Sequence, residues 1–422
     1  MLDIAFIRQN SEKVKEGIAK KNADPKLIDK FLRLDEEWRM KTAALDQLKA
    51  DQNSLGKELA TKKRDDLLSK AEVLKKRVQE ISLTRDEFAA KREAILRSLP
   101  NIPIEDVPVG KDETENKIVK EVGKIPSYDF IPKDYLLLGE ELGLIDVGRA
   151  AKTSGSRFGY LFGDAALLEF GLVKLALDTL RPKGFVPVVP PVLIKDSMMG
   201  AMGYVDRRED MDETYFLDKD KLYLVGTSEQ SIGPMHADEV FEESELSKRY
   251  VAFSTCFRRE AGSYGKDTKG ILRVHQFDKV EMFSFCHPDQ SIEEHKLLLS
   301  LEEKLMKSLE IPYRVVEMCT GDLGNVAAAK FDIEAWLPSQ NQYRETHSTS
   351  NATDFQARRL NIKFKPKDVK QKSRYVHTLN GTAFAIGRTI IAIIENYQTK
   401  KGTIRVPEVL RGYLGKEEIG RG

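Results

Sequence analysis

The spacing of apolar side chains divides the chain into two parts. Between residues 67 and 99, two interleaved series recur every seven positions, namely Leu67, Leu74, Ile81, Phe88 and Ile95, and Ala71, Val78, Arg85, Arg92 and Leu99. Upstream, the steps are three and four, through Phe31, Leu34, Trp38, Thr42, Leu45, Leu48, Gln52, Leu55 and Leu59. Such spacing is typical of the a and d positions of a coiled coil. We therefore predict two long antiparallel helices joined by a turn near residues 63–66.

The pattern changes after residue 99. Pro100, Pro103 and Pro108 end the helical periodicity and mark a linker, since proline is excluded from helix interiors. From about residue 115 the chain consists of short apolar runs broken by glycine and proline, a texture typical of a mixed domain with a sheet core. We predict an N-terminal helical arm over residues 1–110 and an α+β domain over residues 111–422.

Composition narrows the class of protein. The 422 residues include 68 basic and 67 acidic ones, so the net charge of +1 indicates no nucleic-acid partner by itself. The three cysteines include no C-x-x-C pair, which suits a reducing compartment and disfavours a disulfide framework. No apolar stretch approaches 18 residues, and the N-terminus lacks the apolar core of a signal peptide. We therefore expect a cytoplasmic protein.

Positive charge is concentrated at the predicted tip of the arm. Residues 57–77 carry eight basic side chains and four acidic ones. The basic ones are Lys57, Lys62, Lys63, Arg64, Lys70, Lys75, Lys76 and Arg77. A protruding rod with a positive end is able to contact a phosphate backbone. The alternatives are a solvated helical surface and a rod that serves only dimerisation.

Two charged segments of the second domain predict a strand pair. VAFSTCFRRE alternates so that Arg258 and Glu260 share one face with Ser254 and Cys256. In RVHQFDKVE the corresponding face carries Arg273, His275, Phe277, Lys279 and Glu281. The intervening AGSYGKDTKGI predicts a mobile hairpin loop. This charged ladder is either a binding site or a solvated sheet face with cross-strand ion pairs.

Two further segments are unusual for a protein core. HTLNGTAFAIGRTIIAIIENYQ predicts a strand of small residues leading into an apolar helix over 389–397. Arg388 then lies at the start of that helix, where the macrodipole disfavours a cation, so we expect an anion opposite it. GFVPVVPPVLI, at 184–194, contains three prolines and predicts an edge strand or an interface, because proline cannot donate to a sheet ladder.

Together these segments resemble those of the class II aminoacyl-tRNA synthetases, and within that class the chain resembles the seryl-tRNA synthetase family over essentially its whole length. The strings that carry this resemblance are AAKTSGSRFGYL (150–161), GTSEQ (226–230), FRREAGSYGKDTKGILRVHQFDKVE (257–281), SNATDFQARR (350–359) and LNGTAFAIGRTIIAIIENYQ (379–398). The implied fold is α+β, with the antiparallel sheet and flanking helices of a class II synthetase behind a coiled-coil arm.

The resemblance also implies site residues. Arg258 and Arg388 would be catalytic, and L-serine would contact Thr227, Ser228, Glu229, Arg258, Glu281, Asn380 and Thr382. ATP would contact Arg258, Arg259, Glu260, Arg273, Val274, Phe277, Glu345, Thr346, His347, Ser348 and Arg388, with Mg²⁺ on Glu345 and Ser348. The tRNA would contact Lys62, Lys63, Arg64, Lys75, Lys76 and Arg77, and Pro191 would end a dimer-interface strand. Strand alternation points Arg259 away from ATP, so it receives no individual role.

The implied activity is ATP-dependent ligation of L-serine to tRNA(Ser), with tRNA(Sec) as a second candidate, by a homodimer without a membrane partner. Two alternatives remain, namely an amino acid:carrier-protein ligase and a non-catalytic tRNA-binding paralogue. The helical hairpin argues against the first alternative, and the intact charged residues argue against the second. Thr382 departs from the family's commoner serine, and its added methyl group would tighten the pocket against threonine.

Overall fold

The computed structural model describes residues 1–61, 65–261 and 269–421. The chain divides into two compact units, Met1–Ile102 and Pro103–Gly422. The boundary between the two units falls after residue 102, whereas the sequence predicted it after residue 110. Residues 103–110 belong to the second unit, as their hydrogen bonds show. The Ile104 N–H donates to the Ala328 carbonyl at 3.0 Å, and the Thr320 N–H donates to the Pro108 carbonyl at 2.8 Å.

The helices and strands follow one another along the chain in alternating groups. The helices are α1 (Ile4–Gln9), α2 (Ser11–Ala19), α3 (Lys26–Thr61), α4 (Asp65–Ser98), α5 (Tyr135–Glu141), α6 (Val147–Ser154), α7 (Asp164–Leu180), α8 (Asp196–Met202), α9 (Arg208–Asp212), α10 (Glu229–Ile232), α11 (Ser291–Ser308), α12 (Phe355–Leu360), α13 (Ile386–Asn396) and α14 (Glu408–Leu414). The strands are β1 (Lys117–Val122), β2 (Ile145–Asp146), β3 (Tyr160–Leu161), β4 (Phe185–Val188), β5 (Leu193–Lys195), β6 (Tyr215–Leu217), β7 (Leu222–Leu224), β8 (Val240–Glu242), β9 (Lys248–Phe257), β10 (Gln276–Cys286), β11 (Tyr313–Glu317), β12 (Ala329–Leu337), β13 (Gln342–Asn351), β14 (Lys363–Lys365), β15 (Arg374–Tyr375), β16 (His377–Ala385), β17 (Ile404–Arg405) and β18 (Glu418–Ile419). None of the helices within these described ranges is long and apolar enough to cross a membrane.

The first unit contains the predicted hairpin of α3 and α4. Every residue of the two heptad series is buried or half-buried, whereas most intervening residues are exposed. Arg92, a charged member of the second heptad series, is also accommodated between the helices. Its guanidinium lies 4.1 Å from the Trp38 ring centroid and 3.0 Å from Asp35. The coiled-coil prediction is therefore confirmed. Residues 63 and 64 of the predicted turn lie outside the described residues, and α4 begins at Asp65.

The second unit is built on an eight-stranded sheet in the order β1-β11-β12-β13-β16-β10-β9-β4. Its neighbouring strands are antiparallel except for β4, which pairs parallel with β9 at one edge. The α+β prediction is confirmed. The proline-rich 184–194 segment supplies this edge strand, as the missing proline N–H groups require.

The apolar core lies between this sheet and three helices, α7, α11 and α13. Residues Ile390–Ile394 of α13 are fully buried, as expected for a helix that is apolar on nearly all sides. On the sheet side, Val280, Met282, Leu379 and Ala383 belong to the same core. Because strand side chains alternate between faces, the residues between these positions lie on the opposite face, where polar groups collect.

Two predicted strand ends are wrong. β9 ends at Phe257 and β10 begins at Gln276, so Arg258, Glu260 and Arg273 lie beyond the ladder. Glu260 has a φ of 52°, a left-handed conformation that interrupts an extended strand. Most of the predicted hairpin loop, residues 262–268, lies outside the described residues. On the neighbouring strand β16, which ends at Ala385 opposite Lys279, the helix α13 begins at Ile386, so Gly387 belongs to the helix rather than to the strand.

Candidate active site

A cavity of about 740 Å³ opens on the polar face of the sheet. Strands β10, β13 and β16 form its floor, and the segments around Gly226 and Arg258 form part of its wall. In the pairing of β10 with β9, Phe277 lies opposite Cys256 and Lys279 opposite Ser254. The face predicted from alternation is therefore the face that the cavity occupies.

One end of the cavity combines an arginine with an aromatic ring. The Arg258 guanidinium lies 5.3 Å from the Phe277 ring centroid, and its Nε donates to the Gly226 carbonyl at 3.2 Å. The backbone also holds Arg258, because its N–H donates to the His275 carbonyl at 3.0 Å. Nearby, Arg273 Nη1 lies 2.7 Å from Glu260 Oε2. A flat ring beside two guanidinium groups suits an aromatic ligand that carries anionic groups.

The anion expected opposite Arg388 is the carboxylate of Glu345 on β13. Arg388 Nη1 lies 3.3 Å from Glu345 Oε2 and donates to the Glu345 backbone carbonyl at 3.0 Å. Burial raises the pKa of Glu345, but the positive charges of Arg388, Lys330 and Arg258 outweigh it and lower that pKa to about 2. The carboxylate therefore stays ionised, and the 47% of its side chain that is exposed at the cavity favours the same state, because water solvates the charged form.

Two β-bulges aim side chains into the cavity. β12 pairs Ile333 with His347 and then Glu334 with Glu345, which leaves Thr346 as an extra residue. Because of this bulge, Glu345 and Ser348 both line the cavity, although strand residues three apart normally face opposite sides. A second bulge on β16 lies between Thr382 and Phe384 and places Thr382 opposite Glu281.

The other end of the cavity is built around two carboxylates. Glu229 accepts hydrogen bonds from the Tyr204 hydroxyl at 3.0 Å, from Gln356 Nε2 at 2.9 Å and from the Asn380 amide. Its oxygens are thereby fixed toward the cavity that Glu229 lines. Burial raises the pKa of the Tyr204 hydroxyl well above its usual range, so it remains a donor.

Glu281 is the second carboxylate. It is almost fully buried, and its Oε2 lies 2.6 Å from Lys279 Nζ and accepts from the Thr382 hydroxyl at 3.3 Å. Burial raises the pKa of Glu281, while the Lys279 ammonium acts in the opposite direction. A hydroxyl donor and a carboxylate acceptor thus lie side by side at a depth that suits a small polar side chain.

The structure brings most predicted ligand contacts into this one cavity. Lining it are Thr227, Glu229, Arg258, Glu260, Arg273, Val274, Phe277, Glu281, Glu345, Thr346, Ser348, Asn380, Thr382 and Arg388. Three predicted residues do not line it within the described chain. Ser228 and His347 are buried beneath it, and Arg259 instead stacks on Tyr215 at 5.5 Å.

Among the lining residues that received no role from the sequence, four act on the predicted carboxylates. Tyr204 and Gln356 hold Glu229, Lys279 pairs with Glu281, and Lys330 faces Glu345. Lys279 and Gln356 lie within the segments 257–281 and 350–359 that carry the family resemblance, and Lys279 also alternates with Phe277 and Glu281. The sequence therefore contained enough information to indicate both residues. Tyr204 lies in a segment without a recognisable motif.

The chemistry of the side chains also bears on a metal ion. Glu345 supplies a carboxylate and Ser348 a hydroxyl on the same wall, and hard oxygen ligands are those that Mg²⁺ prefers. Mg²⁺ in nucleotide sites is usually held by one or two carboxylates together with substrate phosphates. The two residues therefore fit such an ion when ATP supplies the remaining ligands.

Comparisons with known proteins agree with this geometry. The model of the class II tRNA synthetase core domain (G, H, P, S and T) matches residues 215–397, the region that contains the cavity's strands. The fold and this match define the protein as a class II aminoacyl-tRNA synthetase. The seryl-tRNA synthetase N-terminal domain model matches residues 1–103.

Full-length relatives narrow the class. The chain is 47% identical to the serine–tRNA ligase of Acidothermus cellulolyticus over 99% of both chains. It superposes on the crystal structure of seryl-tRNA synthetase from Pyrococcus horikoshii complexed with ATP, with a TM-score of 0.93, 42% identity and full coverage of both chains. The cytoplasmic serine–tRNA ligase of Naegleria fowleri in complex with AMP gives a TM-score of 0.88 and 34% identity over 100% of this chain and 99% of that one. The chain belongs to the serine–tRNA ligase family.

Proposed function

We propose that this protein activates L-serine with ATP to form seryl-adenylate and then transfers the seryl group to the 3′ end of tRNA(Ser). One observation carries the proposal: a single cavity is lined by arginines beside an aromatic ring at one end and by two fixed carboxylates at the other. The family relationship supports the same reaction. It disfavours a carrier-protein ligase, because the N-terminal unit matches the seryl-tRNA synthetase domain.

Serine binds at the carboxylate end on this proposal. Glu229, held by Tyr204, Gln356 and Asn380, takes the ammonium group together with Thr227. Glu281 and Thr382 take the hydroxyl, with the carboxylate accepting and the threonine hydroxyl completing the network. The serine carboxylate is then directed toward Arg258, which lines the same cavity.

ATP binds at the arginine end. Phe277 stacks on adenine, Glu260 accepts from the adenine amino group, and the Val274 and Thr346 positions line the nucleotide path. Arg258 holds the α-phosphate, while Arg273 and Arg388 contact the outer phosphates. Glu260 holds Arg273 and Glu345 holds Arg388, so both guanidinium groups are already oriented before ATP binds. When ATP binds, contacts with the substrate replace these two contacts.

The reaction needs no nucleophilic side chain. The serine carboxylate attacks the α-phosphorus and pyrophosphate leaves. A ribose hydroxyl of the tRNA end then attacks the acyl carbon and releases AMP. Arg258 and Arg388 stabilise the charge that develops on the phosphate oxygens. Mg²⁺, held by Glu345 and Ser348, would supply further neutralisation of phosphate charge.

Transfer to tRNA involves the N-terminal arm. Lys75, Lys76 and Arg77 are exposed on α4 and are available to phosphates, and they belong to the basic segment predicted from sequence. The predicted contacts Lys62, Lys63 and Arg64 lie outside the described residues. We propose tRNA(Ser) as the partner, and tRNA(Sec) is a second substrate to test in the same assay.

The active form is a homodimer on this proposal. Large apolar side chains are exposed on α7 and around β4, where Phe170 is 64% exposed and Val189 is 83% exposed. Exposed apolar side chains near the open edge of a sheet suit an interface. β4 ends at Val188, three residues before Pro191, whose carbonyl accepts from the Ser231 hydroxyl at 2.5 Å. We also propose a cytoplasmic location, to which three buried free cysteines are suited.

Amino-acid-dependent ATP–pyrophosphate exchange tests the first step. Serine should support exchange, threonine far more weakly, and alanine should be rejected by about 10⁴-fold, because a ligand without a hydroxyl leaves the Glu281–Thr382 network unsatisfied. Exchange should not require tRNA, whereas seryl-tRNA formation should require tRNA(Ser). Comparable exchange with alanine would contradict the pocket assignment, and tRNA binding without any exchange would favour the non-catalytic paralogue.

A further inference from the structure

A fully buried carboxyl group lies beneath the proposed serine site and has no role in the reaction described above. Glu302 belongs to α11, and its side chain is completely shielded from solvent. Neither of its oxygens makes a hydrogen bond of good geometry within the described part of the chain, although the backbone N–H of Thr382 lies close enough to act on the carboxyl group. An ionised carboxylate in such a position is strongly disfavoured, so both its protonation and its presence need an explanation.

Glu302 contacts the strand that carries the serine-reading side chains. On β16, Asn380 and Thr382 line the cavity, and the residue between them, Gly381, faces away from it. A methyl group added at Gly381 would lie 2.9 Å from Glu302 Oε1 and 3.1 Å from Thr349 Oγ1. The carboxyl group therefore lies directly behind the backbone that joins Asn380 to Thr382.

Charge balance indicates which buried carboxyl keeps a proton. Lys279 is the ammonium group that acts on both Glu281 and Glu302, so it neutralises only one of these two carboxyls as an ion. Glu281 has the ammonium at 2.6 Å and the Thr382 hydroxyl at 3.3 Å, which favour its ionised form.

Glu302 has no comparable stabilisation. Burial raises its pKa well above its usual range, and the charges of Glu281 and Asp332 act in the same direction. Lys279 and the nearby backbone N–H of Thr382 oppose this shift without cancelling it. Asp332 has its own cation, Lys330, at 3.5 Å.

We propose that Glu302 is a positioning residue for serine: its protonated carboxyl supports β16 at Gly381 and leaves Glu281 as the one ionised carboxylate beside Lys279. This inference rests on the proposed function and adds to it a determinant of serine affinity outside the cavity. A neutral group of this size keeps Thr382 at a fixed distance from Glu281, and Asn380 at a fixed distance from Glu229. A second ionised group there would compete with Glu281 for Lys279.

The test compares two substitutions of Glu302 by steady-state pyrophosphate exchange. Glu302→Gln keeps the size and the neutral state, so its KM for serine should stay within twofold of wild type. Glu302→Ala removes the support, and its KM for serine should rise about tenfold, the typical cost of one lost buried contact. The KM for ATP and kcat should remain within twofold for both, because the arginine end is not altered.

A double substitution tests the contact itself. Gly381→Ala should also raise the KM for serine, because the new methyl group meets Glu302. In Glu302→Ala/Gly381→Ala the methyl group fills the space that the carboxyl leaves, so the combined increase should be smaller than the product of the single ones. Glu303→Gln is the matched control, since the next carboxyl of α11 faces Tyr313 and Lys120 instead. Its KM for serine should not change.

The outcomes are separable. A wild-type protein without serine-dependent exchange would overturn the proposed function itself. With an active wild type, the inference is overturned by an unchanged KM in Glu302→Ala, by a loss in Glu302→Gln equal to that in Glu302→Ala, or by strictly multiplicative effects in the double variant. Thermal unfolding of each variant identifies those that are not folded, and the isosteric Gln variant then decides the question.

Discussion

In Met1–Ile102 charged side chains lie mostly on the outer faces of α3 and α4, whereas in Pro103–Gly422 many of them line or underlie one cavity. Asp35 is an exception in the first unit, because it is buried and contacts Arg8 at 2.7 Å and Arg92 at 3.0 Å. The second unit buries Lys279, Glu281, Glu302 and Asp332 close together. Burying charge is costly, so its concentration in one place marks where specific chemistry is required.

This difference in the placement of charge predicts how the activity and stability of each unit respond to substitution. Surface charges on a helical arm act through long-range attraction, which salt screens and which depends little on exact position. Charges in a closed cavity act through geometry and lack of water, so one substitution has a large effect. The three predictions below test this contrast from the largest expected effect to the smallest.

The largest effect is expected for Arg388→Ala. Loss of one charge-stabilising donor should lower kcat for serine-dependent pyrophosphate exchange by about 100- to 1,000-fold, or roughly 3–4 kcal/mol. The fold should persist, because a cation in the first turn of α13 does not favour that helix. Arg374→Ala, which removes an exposed guanidinium paired with Asp289, is the matched control and should retain activity. A large drop in the unfolding temperature of Arg388→Ala would show that the residue is structural instead.

Asp35→Asn should destabilise the first unit by about 2 kcal/mol, since it leaves partly buried arginines without their counter-charge. Burial raises the pKa of Asp35, but Arg8, Arg92 and Arg39 outweigh it, and the net pKa is lowered. A lowered folded-state pKa means that the stabilisation is present at neutral pH, above the unfolded value of about 3.9, and is lost as pH falls through the folded value.

The measurement uses urea unfolding followed by Trp38 fluorescence in a Trp336→Phe background, where one tryptophan remains. The difference between Asp35→Asn and its parent should be largest at pH 7 and should shrink below about pH 4. Asp46→Asn, on an exposed position of the same helix, should change little. A difference that does not depend on pH would show that Asp35 acts through packing rather than charge.

The smallest effect is expected at the arm. Changing Lys75, Lys76 and Arg77 to glutamate should raise the KM for tRNA(Ser) by about tenfold at moderate salt and flatten its salt dependence, because fewer phosphate contacts release fewer counterions. Pyrophosphate exchange should stay near the wild-type rate. Lys91→Glu, on the same helix and outside the basic segment, is the control. If charging is unchanged in the triple variant, these three residues are a solvated surface and the RNA contact lies elsewhere.

The arm was predictable in detail because its determinants are local. Seven-residue spacing fixes which face of α4 meets α3, and all ten positions from Leu67 to Leu99 follow it. The strand pair around Phe277 and Glu281 followed from alternation for the same reason. Alternation failed only at the strand ends, where the left-handed backbone of Glu260 and the segment before Gln276 leave the ladder.

The sequence by itself determined the two-part organisation, the α+β class, the family and the motif residues that face the cavity, because periodicity and short motifs are properties of neighbouring residues. Tertiary structure decided which carboxylate meets which cation. Glu345 reaches Arg388 from another strand, a bulge at Thr346 turns Glu345 and Ser348 to one side, and Tyr204 joins Gln356 around Glu229. These contacts link residues far apart in the chain, and the burial that sets the pKa of Glu302 exists only after the sheet and α11 have packed together.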